Sequence, residues 1–211
     1  MDSPVFEREY AARGFCAVAG VDEVGRGPLA GPVVCAAVIL PLDEALRVPG
    51  VDDSKKLSKK KREQLAALLR ERALAYALCE VDAATIDAVN ILQATRLGMK
   101  RAVERLSPPP DMVLTDGNMT LDIAFPQRSI VKGDARVYSI GAASILAKVY
   151  RDALMADYAA AYPGYGFERN AGYGTKEHIQ AIREVGICPI HRRTFVTKFW
   201  DGRERPSSAN T

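Results

Sequence analysis

Histidine is scarce in this chain: only His178 and His191 occur among its 211 residues. Cysteine is limited to Cys16, Cys35, Cys79 and Cys188, and no pair has the C-x-x-C spacing. A zinc centre built from clustered Cys and His is therefore not expected, and the thiols read as buried, reduced residues of a cytosolic protein. Long apolar runs are also missing. The longest, Pro32 to Leu42, is too short to cross a bilayer, and the first residues show no signal-peptide pattern. The expectation is a cytoplasmic protein with no membrane partner. There is no internal repeat, no P-loop and no G-x-G-x-x-G stretch, so the nucleotide-binding folds that depend on those loops are excluded. An excess of charge is lacking too. A net charge of +3 does not mark a nucleic-acid binder, and the placement of the charges carries more information than their sum.

What remains is an ordinary globular composition, 48% hydrophobic and 26% charged. A chain of this length can bury one core without a second domain. Residues 1–200 read as a single domain, and the polar segment 201–211, with Pro206 and paired serines, reads as a disordered tail.

The pattern of apolar residues predicts alternating strands and helices. A short helix falls within 1–14, and strands at 15–21 and 32–41 form an antiparallel pair bent through Gly25, Gly27 and Gly31. A helix starts at Ser58 and buries Leu65, Leu68 and Leu69 on one face. A strand at 73–81 follows, then a helical region from Ile86 to Leu106 that Pro108, Pro109 and Pro110 stop. Strands at 112–116 and 128–132 precede a long helix that Ser139 can cap, with Ala142, Ala143 and Ala147 as a small-residue stripe. A last helix covers 175–185.

Three of these strands run into acid. Asp22 and Glu23 follow the first, Asp116 ends the fourth, and Gly133-Asp134 closes the fifth. Acidic turns account for any one of them; charge at the end of a buried strand otherwise needs compensation, and a divalent cation supplies it for paired carboxylates. Asp152 is a different case. It lies about 20 Å along the helix from Asp134 at 1.5 Å per residue, so it reads as a structural partner of Arg151 or Lys148. Lys59, Lys60, Lys61 and Arg62 fill the first turn of a helix, against its dipole; they form either a solvated face or a phosphate-contacting edge. The loop 162–175, rich in glycine and aromatics, can stack on sugars or bases or fold back on the core.

Six stretches, in order over roughly residues 17 to 196, resemble ribonuclease HII, the type 2 ribonuclease H. They are D-E-x-G-R-G-P-x-x-G-P-V at 22–33, D-S-K-K-L at 53–57, T-D-G-N at 115–118, the long G-D…A-A-S-I-L-A-K-V-x-R-D at 133–152, N-x-G-Y-G-T at 170–175 and H-R-x-x-F at 191–195. Arg26 stands where the related type 3 enzymes are expected to carry lysine. The resemblance implies an α/β, ribonuclease H-like fold: a mixed five-stranded sheet flanked by helices, with a helical C-terminal part. It implies that Asp22, Glu23, Asp116 and Asp134 bind Mg²⁺ or Mn²⁺ for two-metal hydrolysis, with no histidine or cysteine nucleophile. Gly25, Arg26 and Gly27 would read the 2′-OH, and Tyr173 would pack on the sugar at an RNA–DNA junction. Lys55, Lys56, His191 and Arg192 would contact the duplex. The implied activity is hydrolysis of RNA in RNA–DNA hybrids and nicking 5′ to single ribonucleotides in duplex DNA, by a monomer. A junction resolvase or integrase core would share the acids without needing G-R-G or Tyr173; a non-catalytic duplex-binding protein would not need the acids.

Overall fold

The computed structural model describes residues 5–52 and 54–204. Its strands are β1 (Val18–Val24), β2 (Val33–Ile39), β3 (Ala75–Val81), β4 (Met112–Asp116) and β5 (Gln127–Ile130). They form one sheet in the order β3-β2-β1-β4-β5. β1 pairs antiparallel with β2 and parallel with β4, so the sheet is mixed. The helices are α1 (Val5–Ala11), α2 (Lys59–Arg72), α3 (Ala83–Glu104), α4 (Tyr138–Ala161), α5 (Phe167–Asn170), α6 (Lys176–Val185) and α7 (Arg193–Val196).

β2 explains the layering. Every residue of VVCAAVI is buried, because helices cover both faces of the sheet and leave no polar side for alternation to mark. Cys35, Ala37 and Ile39 pack with Met99, Ala102 and Val103 of α3. Val34, Ala36 and Val38 pack with Leu65 and Leu69 of α2 and Ala142, Ala143 and Ile145 of α4. β3, at the edge, does alternate: Tyr76 and Glu80 face solvent while Ala75, Ala77, Cys79 and Val81 are buried. A third cluster joins Leu29 and Ala30 to Met155, Tyr165, Phe167, Ile182 and Val196, and ties the C-terminal helices to the sheet.

Close approach of α4 to β1 depends on Gly20. A Cβ there would lie 2.2 Å from the carbonyl carbon of Ser139. The same approach removes Ser139 from the capping role its sequence position suggests. α4 begins at Tyr138, Ser139 is fully buried inside its first turn, and among the described residues its Oγ has no hydrogen-bond partner. Glu7 of α1 takes the role instead, its Oε1 accepting the Ser139 N–H at 2.7 Å, an acid against the positive end of the helix. Ser58 caps α2 as expected, accepting from the Lys61 N–H at 3.3 Å. α3 is interrupted at Asn90 (φ 67), whose Oδ1 accepts from Leu92 and Gln93 and so caps the second segment.

Three cysteines are buried, but Cys16 is exposed, and all four are free thiols. Among the described residues no helix is long and apolar enough to cross a membrane. Residues 201–204 are held against the body: Glu204 bridges to Ile187, and the Trp200 indole N–H donates to the Arg203 carbonyl at 2.5 Å. The rest of the segment read as a tail, 205–211, lies outside the described residues, as does Asp53.

Candidate active site

β1 runs three residues further than its apolar pattern suggests, so Asp22 and Glu23 lie within the strand rather than after it. Alternation turns their side chains to opposite faces. Asp22, on the α4 side near Ser144, accepts the Glu23 N–H at 2.8 Å. Glu23 lies 3.6 Å from the Arg26 guanidinium. The parallel register pairs Val21 with Thr115, so the next residue along, Asp22, is level with Asp116. Past β5, Lys132 takes a left-handed conformation (φ 57) and turns the chain back through Gly133–Ala135. Asp116 Oδ1 accepts the Gly133 N–H at 2.6 Å and the Asp134 N–H at 3.4 Å, which draws Asp134 to the same sheet end. Lys55 Nζ lies 3.5 Å from Asp134 Oδ2.

Asp22, Glu23 and Asp116 lie close enough for their charges to interact, and the Asp134 backbone is bonded to Asp116 at the same sheet end. Burial first, then the negative charges of Glu23 and Asp116, push the Asp22 carboxyl well above the usual range. Burial also raises Glu23, against the lowering effect of Arg26. Asp22 is 4% exposed, a costly position for a charge. Among the described residues no three His, Cys, Asp or Glu side chains form a closed metal-holding group. The donor set is nonetheless all carboxylate oxygen, which suits a hard divalent cation, and the buried like charges are of the sign such an ion would neutralise. Asp152 stays apart, as its place along α4 requires, bonded to Lys148 at 2.5 Å and near Arg62 at 3.6 Å.

Beside the acids the G-R-G loop is held from behind. Arg192 donates to the carbonyls of Gly25 (2.5 Å), Arg26 (2.8 Å) and Gly31 (2.8 Å). Arg151 donates to those of Pro32, Ala30 and Ala171 at 3.0 to 3.1 Å. In planar trans peptides the N–H opposes the C=O, so the Arg26 and Gly27 N–H groups point away from Arg192, toward the surface. Gly25 has φ +92, and a Cβ on it would lie 2.2 Å from Arg151 Nε. Gly27 is different: a Cβ there would meet only the Tyr173 ring, at 3.6 Å. Tyr173 is 47% exposed, so its ring and the G-R-G backbone border one open surface.

Two expectations are corrected here. His191 and Arg192 do not face a duplex; they are 3% and 0% exposed, since the third core cluster closes over them. Burial takes Arg192 down to about 9 and His191 down to about 3. Lys55 and Lys56 are on the surface, Lys56 lying 3.8 Å from Asp52. The sequence reading missed Arg151, although its spacing holds the signal: Ala143, Ala147, Arg151 and Met155 recur every fourth residue, and all are buried.

A mixed α/β sheet that brings Asp22, Glu23, Asp116 and Asp134 to one end of neighbouring strands, next to a backbone loop held from behind, suits a metal-dependent phosphodiester hydrolase. Residues 19–198 match the family model for ribonuclease HII, and the chain belongs to that family. It is a metal-dependent endonuclease with ribonuclease H activity on RNA–DNA hybrids. It is 57% identical over 189 residues to a ribonuclease HII of Leuconostoc mesenteroides, covering 90% of this chain and 74% of the relative. It is 56% identical over 191 residues to that of Endomicrobium trichonymphae, covering 90% of each. Among solved structures, ribonuclease H2 from Pyrococcus horikoshii OT3 superposes with a TM-score of 0.72 at 29% identity, covering 86% of this chain and 96% of that one.

Proposed function

We propose that the enzyme nicks duplex DNA 5′ to a single embedded ribonucleotide, besides cutting the RNA strand of longer hybrids, and leaves 3′-hydroxyl and 5′-phosphate ends. In this reading it acts as a cytoplasmic monomer in ribonucleotide excision and in removal of RNA primers. The observation that carries it is the Tyr173 ring set beside Gly27 at the rim of the acid cluster. A ribose entering there meets an aromatic face on one side and two outward N–H groups on the other. Such a site can read a 2′-OH from the backbone, which presents no side chain to be confused with a base contact.

Asp22, Glu23, Asp116 and Asp134 would hold Mg²⁺ or Mn²⁺. Two such ions, when bound, lower the pKa of an attacking water and stabilise the leaving 3′ oxygen. The protein's own part is to gather the four acids against their repulsion. The Gly133–Ala135 turn pins Asp116, and the Glu23 N–H holds Asp22. Lys55, next to Asp134, would approach the scissile phosphate, and Lys56 would meet the duplex backbone. His191 and Arg192 would serve the substrate from behind the loop.

Three labelled duplexes test this reading: all DNA, DNA with one ribonucleotide, and a long RNA–DNA hybrid, each with Mg²⁺, Mn²⁺ or chelator. A metal-dependent nick just 5′ of the single ribonucleotide, with all-DNA duplex intact, is the expected outcome. Cleavage of all-DNA duplex, or of the long hybrid alone, would overturn it.

A further inference from the structure

The two histidines of the chain are buried against each other, behind the loop that carries Tyr173. His178 Nε2 lies 3.0 Å from His191 Nε2. His178 Nδ1 lies 2.9 Å from the Tyr173 carbonyl, and the Cys188 N–H donates to His191 Nδ1 at 2.9 Å. We propose that His178 and His191 form a one-way hydrogen-bond relay that fixes the Tyr173 backbone, making both positioning residues for substrate; this rests on the role given to Tyr173 above.

The direction follows from which groups can only donate and which can only accept. His191 Nδ1 faces the Cys188 N–H, Sγ and carbonyl at 2.9, 3.1 and 3.2 Å; the shortest of these partners can only donate, and a bare Nδ1 meets it, with the ring proton on Nε2. That proton is given to His178 Nε2, which is therefore bare in turn. His178 carries its own proton on Nδ1 and gives it to the Tyr173 carbonyl, which can only accept. The reverse order would turn a His191 Nδ1–H to the Cys188 carbonyl at 3.2 Å and set a bare His178 Nδ1 against the Tyr173 carbonyl, losing the bond that holds Tyr173. One tautomer pair satisfies all four ring nitrogens, with both rings neutral.

The surroundings preserve that pair. The Tyr165 ring lies edge-on to His191 at 4.9 Å between centroids, and the Phe167 ring edge-on to His178 at 5.3 Å. His178 is fully buried, so water does not compete for its nitrogens. At the far end, the Tyr173 carbonyl also accepts the Thr175 N–H at 2.8 Å, and Thr175 caps α6, whose third residue is His178. The Tyr173 ring itself is half in solvent. Its position beside Gly27 is therefore set through its backbone, and the relay is what anchors that backbone to the 188–192 segment. The same segment accepts the Gly31 N–H through Ile190 at 2.9 Å, so both substrate loops share one support.

The test has two parts, both on the full chain. Long-range ¹H–¹⁵N correlation spectra of the unsubstituted protein read the tautomers directly. The relay requires Nδ1–H on His178 and Nε2–H on His191; the opposite assignment for either ring overturns it. Single-turnover cleavage of a duplex with one ribonucleotide then reads the consequence. H178F, which removes the donor, and Tyr173→Ala should each slow cleavage about tenfold, the scale of a small misplacement of a positioning group. H178N, whose side-chain N–H reaches the place of Nδ1–H, should restore most of the rate. In the Tyr173→Ala background H178F should cost nothing more. Multiplying losses in the double variant would overturn the relay while leaving Tyr173 its role. An unchanged rate for Tyr173→Ala alone would instead overturn the reading of Tyr173 on which the relay depends.

Discussion

Two groups of buried charge lie within a few residues of each other, and the fold treats them in opposite ways. At the end of β1, Asp22 is buried beside Glu23 and Asp116, with like charges for neighbours. Behind the G-R-G loop, Arg192 is at least as deeply buried, yet each of its bonds ends on a carbonyl: Gly25, Arg26 and Gly31. Arg151 is spent in the same manner on Ala30, Pro32 and Ala171. The cations are satisfied by permanent parts of the chain and so belong to the framework. The acids repel one another beside Arg26 and Lys55, and a divalent cation would relieve them further. A site that must bind and release ions can carry that unfavourable charge; a support for two loops cannot.

The comparison breaks most visibly if an acid is neutralised. Asp22→Asn or Asp116→Asn should lower cleavage by about 10³-fold or more, a loss of roughly 4 kcal/mol in transition-state stabilisation. Duplex binding should persist, and the metal-free protein should melt no lower than the parent, because a repulsion has been removed. Rate assays with thermal melts in chelator check both halves; a variant that kept its turnover would defeat the metal assignment.

The second way is acid. His191 is neutral in the fold down to about 3, whereas its ordinary value is 6.5. Between those values the unfolded chain binds a proton that the folded chain refuses. The stability tied to this group is full above pH 6.5 and drains as pH falls toward 3, by on the order of 4 kcal/mol. Asp22 works with the opposite sign. Its raised folded value means that, without metal, its penalty fades as pH drops through that value. Urea titrations in chelator from pH 7.5 to 4 should show net loss in the parent, and a shallower fall for His191→Gln.

Removing a satisfied cation comes third. Arg192→Met strands the carbonyls of Gly25, Arg26 and Gly31 and should cost about 3 kcal/mol in denaturant unfolding, with cleavage falling alongside. The smallest effect is Gly27→Ala. A methyl there makes only ordinary contact with Tyr173, so stability should hold within about 0.5 kcal/mol. Cleavage should still drop about tenfold, because the methyl occupies the space where a ribose would lie. Paired melting and rate measurements on the two variants separate frame from surface.

Much of this was visible in the residue order. The acids could be picked out because each stands against an apolar run, where an unpaired charge is anomalous. Tyr173 could be picked out only through the resemblance of N-x-G-Y-G-T to the family motif, since an aromatic in a glycine-rich loop can as well fold back on the core. The positions of His191 and Arg192 were read wrongly for a reason the same logic explains. A basic residue in a polar stretch looks exposed, and only the closure of Tyr165, Phe167 and Val196 over it makes it internal. Ser139 misled in a similar way: a serine before a helix is a local cap until Gly20 lets β1 press so close that an acid from α1 must take over.

By itself, the sequence determined the strand-and-helix order, because that follows from local hydrophobicity, while its resemblance to ribonuclease HII singled out the four carboxylates and an oxygen-binding cation. Only the tertiary structure decided which groups face the substrate and which hold it from behind. That choice rests on pairings such as Val21 with Thr115, and on Arg192 with Gly25, 167 residues apart, whose direction no local pattern encodes.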